Sequence, residues 1–538
     1  MTLNNRLERL VRPVAAGGSS WPVIGLLGLI LAAGLGLRLK GLTANSLAID
    51  EQFHALLALR PDFIGHYWGD QCRLYVCSHP FLFYLIHKAS LALFGPSLLA
   101  ARLPDLLAGL GVIYLGFLIG RRLSGPGLGL GTAFLMAFNF TLAGYSQMFR
   151  PYGLWIFMTT LLIWIGLWLA GKISGPRLAL VLVLIPLAQQ TAYGSLFVLG
   201  GVGLVLVKVF WAEEARKKRR WPWYASYFAV LGATALLFLT FNTWRQENIT
   251  WSEMDFYQPW VVTNMSPAQA LEGALSQFIS ALDQWLPLVG QREVNSLFIG
   301  LSLFVALVGL GRLAGQAQGR NLLWLLAGVL GAEAAAILAG KWTIHWRHSL
   351  FLIVFYLILV AQGLAVLGGW LRQKKLYPAL ALGLVLLALL PVRAVLKEPF
   401  LFPGWGTNEL VAQLKAGAQE GDALYADLRS SYSLIYLLWA DDLDLIYIAT
   451  EPNNEALRKL RRLEAFGTKM PVILGGPDVT PLVERRPTRI WAIISPNAFK
   501  PEIEAAKKGF GPDYEVVKEW TSGHSPTAFW RLYRRVDQ

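Results

Sequence analysis

Long apolar runs alternate with short polar stretches over the first 396 residues of the chain. Many of them reach the roughly 17–25 residues that a helix needs to cross a bilayer, so they predict membrane-spanning helices. The predicted spans are residues 21–39, 98–120, 127–145, 152–170, 178–189, 192–210, 223–243, 295–312, 322–340, 349–368 and 377–393. The run at 79–95 carries His87 and Lys88 in its middle, and we interpret it as a helix lying on the membrane surface.

Arginine and lysine between the runs predict which side of the membrane each loop faces. Cytoplasmic loops carry an excess of these residues, and Arg121–Arg122 and Arg216–Arg220 are separated by an even number of predicted spans. This pattern predicts a multi-pass protein of the inner (plasma) membrane, with a cytoplasmic N-terminus and an outward C-terminus. Arg38 and Lys40 lie at the outer end of the first span, against the rule, and we expect their side chains to extend to the interface. The outward loops are then 41–97, 145–152, 244–294 and 341–348.

The pattern changes after residue 396. Short β-rich runs such as "ALYADL", "LDLIYIA" and "RIWAIIS" alternate with helical stretches such as "NEALRKLRRLEAF". This alternation predicts a soluble α/β domain at 397–538, on the outer side of a transmembrane domain at 1–396. The fold class is therefore an α-helical polytopic membrane protein with a C-terminal α/β domain.

Composition agrees with a membrane protein. The chain is 55% hydrophobic and only 15% charged, whereas soluble proteins carry about a quarter charged residues. Its net charge of +14 follows from basic loops on one side of the membrane, so no nucleic-acid partner is predicted.

Two carboxylates, Asp50 and Glu51, lie side by side where the chain leaves the first span, at the start of an amphipathic stretch, "IDEQFHALLAL". Acidic residues are favoured in the first turn of any helix, which is the simplest interpretation. A catalytic pair is the alternative, because many basic side chains lie on the same predicted side of the membrane. These are His54, His66, His79, Arg150, Lys341, His345, Arg347 and His348.

Carboxylates that face cations at the membrane surface suit a reaction between an anionic lipid-linked substrate and a nucleophile from the water side. A carboxylate can accept the proton of the nucleophile, and the cations can stabilise the phosphate that leaves.

Four segments occur in an order that is typical of one enzyme family. They are "LRLKGLTANSLAIDEQFHALLA", "SHPFLFYLIHKASLALFGPSLLAARLPDLLAGLGVIYLGFLIGRRLSG", "FNFTLAGYSQMFRPYGL" and "WRHSLFLIVFYLILV". Together, over residues 21–395, they resemble the GT-C glycosyltransferases of the protein O-mannosyltransferase and lipid A aminoarabinose transferase superfamily. The resemblance implies a GT-C fold and inverting transfer of a sugar from a polyprenyl-phosphate-linked donor. The acceptor would be a hydroxyl of a glycan, lipid or protein at the outer face of the membrane.

The resemblance also implies roles for individual residues. Asp50 matches the catalytic aspartate that deprotonates the acceptor, and Glu51 matches its neighbour in the catalytic pair. The residues expected at the donor phosphate are Arg150, Arg347, His348 and Lys341. Further residues expected in the site are His79, His54 and Tyr145.

The second outer loop departs from the family pattern. Many bacterial members read Y-S-R-E-A-R where this chain reads "YSQMFR", so Met148 stands where they have glutamate. If that glutamate helps to hold a divalent ion, this chain has lost the ligand. No cofactor is therefore predicted with certainty, and a metal requirement is doubted.

Cys72 and Cys77, the only cysteines, both lie in the first outer loop. A disulfide is predicted if that side is oxidising, and two reduced thiols are the alternative. A metal site is disfavoured because no second cysteine pair or suitably spaced histidine pair completes it.

Two other functions remain open. A transporter or flippase of lipid-linked sugars would carry charges deep in several spans and two related halves. We find no internal repeat and few such charges, although Glu333 lies inside a predicted span and is a candidate functional residue for that reason. A binding protein without catalytic activity is the third interpretation, and it rests on Met148.

Overall fold

A computed structural model describes most of the chain. The described residues are 21–43, 47, 49–68, 79–171, 173–212, 217–246, 265–285, 292–339, 342, 345–373, 407–450, 461–465, 468–474, 478–494, 510–522 and 525–536.

Helices make up the described part of the chain up to Gln373. They are α1 Trp21–Leu39, α2 Ile49–Leu59, α3 Phe63–Trp68, α4 Phe81–Phe94, α5 Leu98–Ser124, α6 Pro126–Phe138, α7 Phe140–Tyr145, α8 Pro151–Gly171, α9 Gly175–Thr191, α10 Ser195–Ala212, α11 Lys217–Gln246, α12 Pro267–Trp285, α13 Arg292–Ala314, α14 Ala317–Leu338 and α15 Leu352–Gln373, with a 3₁₀ turn at Trp346–Ser349.

The predicted spans correspond to these helices, apart from 377–393, which lies outside the described residues. Five of the described helices, α1, α5, α8, α14 and α15, are long and apolar enough to cross a membrane. The expectation of an α-helical polytopic membrane protein is confirmed. One predicted span, 127–145, was wrong in detail, because α6 and α7 are separate helices that meet at Asn139.

The break at Asn139 is stabilised by side chains that replace lost backbone hydrogen bonds. Asn139 has an extended backbone, and its side-chain oxygen accepts the amide hydrogen of Leu142 at 2.9 Å, which caps α7. The Arg38 guanidinium donates to the carbonyls of Ala137 at 2.9 Å and Met136 at 3.2 Å, at the end of α6. Arg38 is completely buried, so the prediction that it extends to the interface was wrong.

Residues 145–152, the predicted second outer loop, are held against the end of α1. Arg38 Nε donates to the Ser146 hydroxyl at 3.1 Å. The Gln147 side-chain amide donates to the carbonyls of Arg38 at 2.8 Å and Lys40 at 3.0 Å. These bonds satisfy carbonyls that a helix C-terminus leaves without partners, and they fix the position of the segment that carries Arg150.

A six-stranded sheet forms the C-terminal domain. Its elements are α16 Thr407–Gly417, β1 Asp422–Ala426, α17 Leu428–Leu438, α18 Leu443–Thr450, β2 Arg461–Ala465, β3 Thr468–Leu474, α19 Thr480–Val483, β4 Arg489–Ile494, β5 Tyr514–Ser522 and β6 Ser525–Arg535. The strand order is β2-β3-β1-β4-β6-β5. β1 runs parallel to β3 and β4, and the outer pairs are antiparallel. The predicted α/β domain is confirmed.

Two local predictions in this domain were wrong. The run "LDLIYIA" forms helix α18 instead of a strand, because the Asp442 carboxylate caps it at the amide of Leu445 (3.0 Å) and its apolar face is buried. The second half of the predicted helix "NEALRKLRRLEAF" forms the edge strand β2, which pairs with β3. Pairing in the sheet overrides a local helical pattern in that segment.

The C-terminal domain shares a hydrophobic core with the first outer loop. Ala55, Leu56 and Ala58 of α2 are fully buried in the same cluster as Tyr436 and Trp439. The Tyr436 hydroxyl also donates to the carbonyl of Ser97, at the start of α5, at 3.0 Å. The domain therefore packs directly behind the helix that begins with the two carboxylates.

Substituting Trp439→Ala should destabilise both parts of the protein together. Removing a large aromatic side chain from a core costs about 3–5 kcal/mol, and Trp439 is only 7% exposed. We expect a lower melting temperature and faster proteolysis within both α2 and the C-terminal domain. Trp370→Ala, at a position that is 54% exposed, is the control. Protection of α2 that is unchanged in Trp439→Ala would contradict a shared core.

Candidate active site

Glu51 is held by a buried ion pair. Its carboxylate lies 3.2 Å from Nη2 of Arg102 on α5, and both side chains are nearly inaccessible to solvent. The same carboxylate accepts the backbone amide hydrogen of Phe149 in the second outer loop. Arg102 also donates to the carbonyl of Leu42 at 2.6 Å. One carboxylate thus joins α2, α5 and the second loop.

Asp50 precedes Glu51 in the first turn of α2. Its side chain lies outside the described part of the structure. The first turn of a helix stabilises a negatively charged side chain, so this backbone position suits a carboxylate.

Imidazole and phenol groups pack together beside α2. The Tyr84 hydroxyl and His54 Nδ1 are 2.8 Å apart, and the rings of His54 and His79 are 4.2 Å apart. Burial, and secondarily the positive charge of Arg150, hold the pKa of His54 well below its usual value, so this imidazole is neutral at pH 7. Nη1 of Arg150 donates to His79 Nε2 at 3.3 Å, because a guanidinium can only donate.

The turn that carries Arg347 approaches the same region. Tyr145 is close enough to Arg150 and Arg347 for both charges to act on it, and its ring lies 4.8 Å from that of Tyr152. Burial, followed by neighbouring positive groups, lowers the pKa of His345 and of His348 to about 4. Both imidazoles are therefore neutral at pH 7, and Arg347 carries the positive charge of this turn.

Most of the predicted site residues come together. Glu51, His54, His79, Tyr145, Arg150, Arg347 and His348 lie on elements that contact one another at one end of the helices. Lys341, Cys72 and Cys77 fall outside the described residues, so their predicted roles stay predictions.

No family model matches the chain, and no curated protein matches it. The solved structure of the archaeal oligosaccharyltransferase AglB from Archaeoglobus fulgidus, with an inhibitory peptide and a dolichol-phosphate, is similar with a TM-score of 0.48 and 11% identity, over 88% of this chain and 69% of that chain. ArnT from Cupriavidus metallidurans, bound to undecaprenyl phosphate, is similar with a TM-score of 0.41 and 12% identity, over 95% of this chain and 98% of that chain. Both are GT-C glycosyltransferases. At these scores the similarity by itself assigns no activity to this chain.

Met148, at the position where the resemblance would place a glutamate, packs against the main hydrophobic core. Among the described residues, no three His, Cys, Asp or Glu side chains lie close enough together to hold a metal ion. That the protein needs no metal stays a prediction. Glu333 is buried, and its carboxylate accepts the Ser349 hydroxyl at 2.6 Å. It therefore anchors the 3₁₀ turn that carries Arg347.

Sequence reasoning missed three buried charged or titratable residues. Arg102 and Asp105 lie in a predicted span, and charged residues inside a span are a recognised signal of function or pairing. The sequence assigned His87 no role beyond indicating that 79–95 lies on the membrane surface. All three are buried in the structure.

His87 and Asp105 form a second buried pair behind the site. His87 Nε2 lies 2.8 Å from Asp105 Oδ2, and His87 Nδ1 lies 2.9 Å from the Phe83 carbonyl. Because a carbonyl can only accept, Nδ1 carries a hydrogen, and one further proton is shared between Nε2 and the carboxylate. The other oxygen of Asp105 accepts the Leu154 amide hydrogen at 3.2 Å, which fixes the start of α8.

Asp105 variants should separate hydrogen bonding from charge at this pair. Asp105→Asn can still accept from Leu154 and can donate to a neutral His87, so we expect a melting temperature close to that of the parent. Asp105→Leu leaves two buried polar groups without partners, at about 1–3 kcal/mol each, and should lower the melting temperature clearly. Equal losses in the two variants would show that the pair depends on a charged carboxylate.

Proposed function

We propose that the protein is a membrane glycosyltransferase that moves a sugar from a polyprenyl-phosphate-linked donor to an acceptor hydroxyl at the outer face of the membrane. Asp50 acts as the general base, and the reaction inverts the configuration of the sugar. The acceptor belongs to a glycan, a lipid or a protein. The order of motifs in the sequence supports the proposal, together with the arrangement of charges around α2.

Glu51 and Asp50 have different roles, and this difference is the main support for the proposal. Glu51 is buried and is already bonded to Arg102 and to the amide of Phe149. A carboxylate with these partners is poorly suited to accepting a proton from a substrate, because protonation would leave Arg102 buried without its counter-charge. We therefore assign a positioning role to Glu51. Asp50, in the preceding position of the same helical turn, is the remaining base.

The reaction is a single displacement. The acceptor oxygen attacks the anomeric carbon from the face opposite the phosphate, and Asp50 takes the hydroxyl proton. The bond between the anomeric carbon and the phosphate oxygen breaks, and its electron pair leaves with the lipid phosphate. Arg150 and Arg347 stabilise the negative charge that builds on that phosphate.

The positions of two arginines support an anionic donor. Arg150 donates to His79 Nε2, Arg347 lies beside the imidazoles of His345 and His348, and both charges act on Tyr145. These two guanidiniums bring positive charge to the region of the carboxylate pair, which suits a lipid phosphate placed near a base.

Asp50→Asn tests the base. A positioned general base contributes roughly 10²–10⁴-fold to a rate, so turnover should fall by that factor while affinity for the donor is retained, because the amide keeps the shape of the side chain. Transfer is measured on purified protein with radiolabelled lipid-linked sugar, beside a donor-binding assay.

The matched control is Asp444→Asn, which alters an exposed aspartate in the first turn of α18. It should leave transfer unchanged. Transfer by Asp50→Asn within a factor of two of the parent would contradict the assignment. Movement of the lipid across vesicles without any product, in the parent protein, would favour a transporter instead.

Arg347→Ala should reduce both donor affinity and turnover. A hydrogen bond to a charged group is worth about 1.5–3 kcal/mol, which corresponds to roughly 10- to 100-fold. Part of this interaction forms with the ground-state phosphate and part with the charge that develops in the transition state. The dissociation constant of the donor and the turnover number should therefore both change. Arg320→Ala, at an exposed arginine on α14, is the control, and donor affinity equal to that of the parent would remove Arg347 from the phosphate site.

A further inference from the structure

Five polar side chains at one end of the helices carry a buried atom that has no hydrogen-bond partner within the described part of the chain. The unpaired atoms are Tyr145 Oη, Trp155 Nε1, Thr159 Oγ1, Ser195 Oγ and Trp342 Nε1. Buried polar groups in proteins are nearly always paired, and each unpaired one destabilises the fold. Such a group therefore calls for a partner that the described residues do not provide.

These side chains belong to one continuous cluster. The ring of Tyr152 lies 4.8 Å from that of Tyr145 and 6.4 Å from that of Trp155. The Trp155 indole in turn lies 6.4 Å from that of Trp342. Thr159 is one helical turn beyond Trp155 on α8, and Ser195 follows Gly194, where any Cβ would collide with the Trp155 ring.

The cluster lies next to the charged part of the site. Tyr145 is within electrostatic range of Arg150 and Arg347, and the Trp342 ring lies 5.3 Å from that of His348. Tyr145, Thr159 and Ser195 are completely buried, and Trp155 is 5% exposed. A ligand that reaches these atoms must therefore enter the protein next to the phosphate-binding arginines.

The chemistry of the unpaired groups defines the ligand. An indole N–H can only donate, so each tryptophan requires an acceptor oxygen, and the three hydroxyls can donate or accept. Five neutral groups that extend from Tyr145 through Trp155 to Trp342 are more than one phosphate can satisfy. A sugar offers several oxygens that both donate and accept, and its carbon faces can pack on aromatic rings.

We propose that this cluster is the subsite for the sugar of the lipid-linked donor, bound through neutral hydrogen-bonding groups while the arginines bind the phosphate. The proposal rests on the proposed function and identifies which part of the donor each part of the site holds. It makes Tyr145, Trp155 and Trp342 determinants of sugar binding.

Tyr145→Phe and Trp342→Phe test the subsite by removing one donor each and keeping an aromatic ring. Affinity is measured for undecaprenyl phosphate and for the same lipid carrying glucose, mannose, galactose or arabinose. The parent should bind at least one sugar-bearing lipid more tightly than the bare lipid phosphate. Each variant should lose roughly three- to tenfold in affinity for that lipid and should bind the bare lipid phosphate like the parent.

The variants also carry an internal check on folding. Tyr145→Phe removes a hydroxyl that has no partner in the described structure, so the melting temperature of the ligand-free protein should not fall. Matched controls are Tyr114→Phe, at a position that is 42% exposed, and Trp164→Phe, on the same helix as Trp155 but stacked on Trp168. Both should bind every lipid like the parent.

Three results would overturn the proposal. In the first, the parent binds every sugar-bearing lipid no more tightly than bare lipid phosphate. In the second, the variants bind sugar-bearing lipid like the parent. In the third, they lose equal affinity for both lipids, which would make the cluster part of the phosphate site. These binding results are independent of transfer by Asp50→Asn, so failure of the subsite is distinguishable from failure of the proposed reaction.

Discussion

The buried ion pair between Glu51 and Arg102 is the interaction on which the candidate site depends. It lies where α2, α5, the end of the first span and the second outer loop meet, and each of these contributes a bond to it. Removing one partner of such a pair leaves a buried charge without compensation, which costs about 3–5 kcal/mol. The pair is therefore better understood as a junction that fixes the geometry of four segments than as a reactive group.

The other buried polar interactions extend the same frame. Arg38 and Gln147 donate hydrogen bonds to carbonyls where helices end. Asp105 on α5 accepts the amide hydrogen of Leu154 on α8 and so connects the two helices. The second outer loop is consequently held on both sides, by α1 before Arg150 and by α5 after it. Under the proposed function the site aligns a base, an acceptor and a phosphate, and such a frame would help, because small displacements of reacting groups reduce the rate strongly.

The C-terminal domain contributes to this frame as well. Its helices α17 and α18 pack on α2, and burial raises the pKa of Tyr436, whose hydroxyl bonds to Ser97 close to the Glu51–Arg102 pair. The domain is thus structurally continuous with the membrane part, and a change in its packing on α2 would displace the first turn of that helix.

The sequence by itself determined the helices, the change to an α/β domain and the region of the candidate site. Apolar run length reflects the requirement that a spanning segment satisfy its own backbone hydrogen bonds, and such local constraints are readable without a structure. It also grouped Asp50, Arg150 and Arg347, because the alternation of spans decides which loops share a side of the membrane.

Only the tertiary structure decided what each polar residue does. Arg38 looked like an interfacial cation and is instead a buried cap, because its partners at Ala137 and Ser146 lie about a hundred positions along the chain. Glu51 and Asp50 are adjacent and chemically alike in the sequence, and the structure gives Glu51 a buried guanidinium 51 positions away. Pairings between distant segments depend on how helices pack in three dimensions, and no local periodicity encodes them. The same reason explains why only the fold shows that Tyr145, Trp155 and Trp342 lie together with donors that have no partner among the described residues.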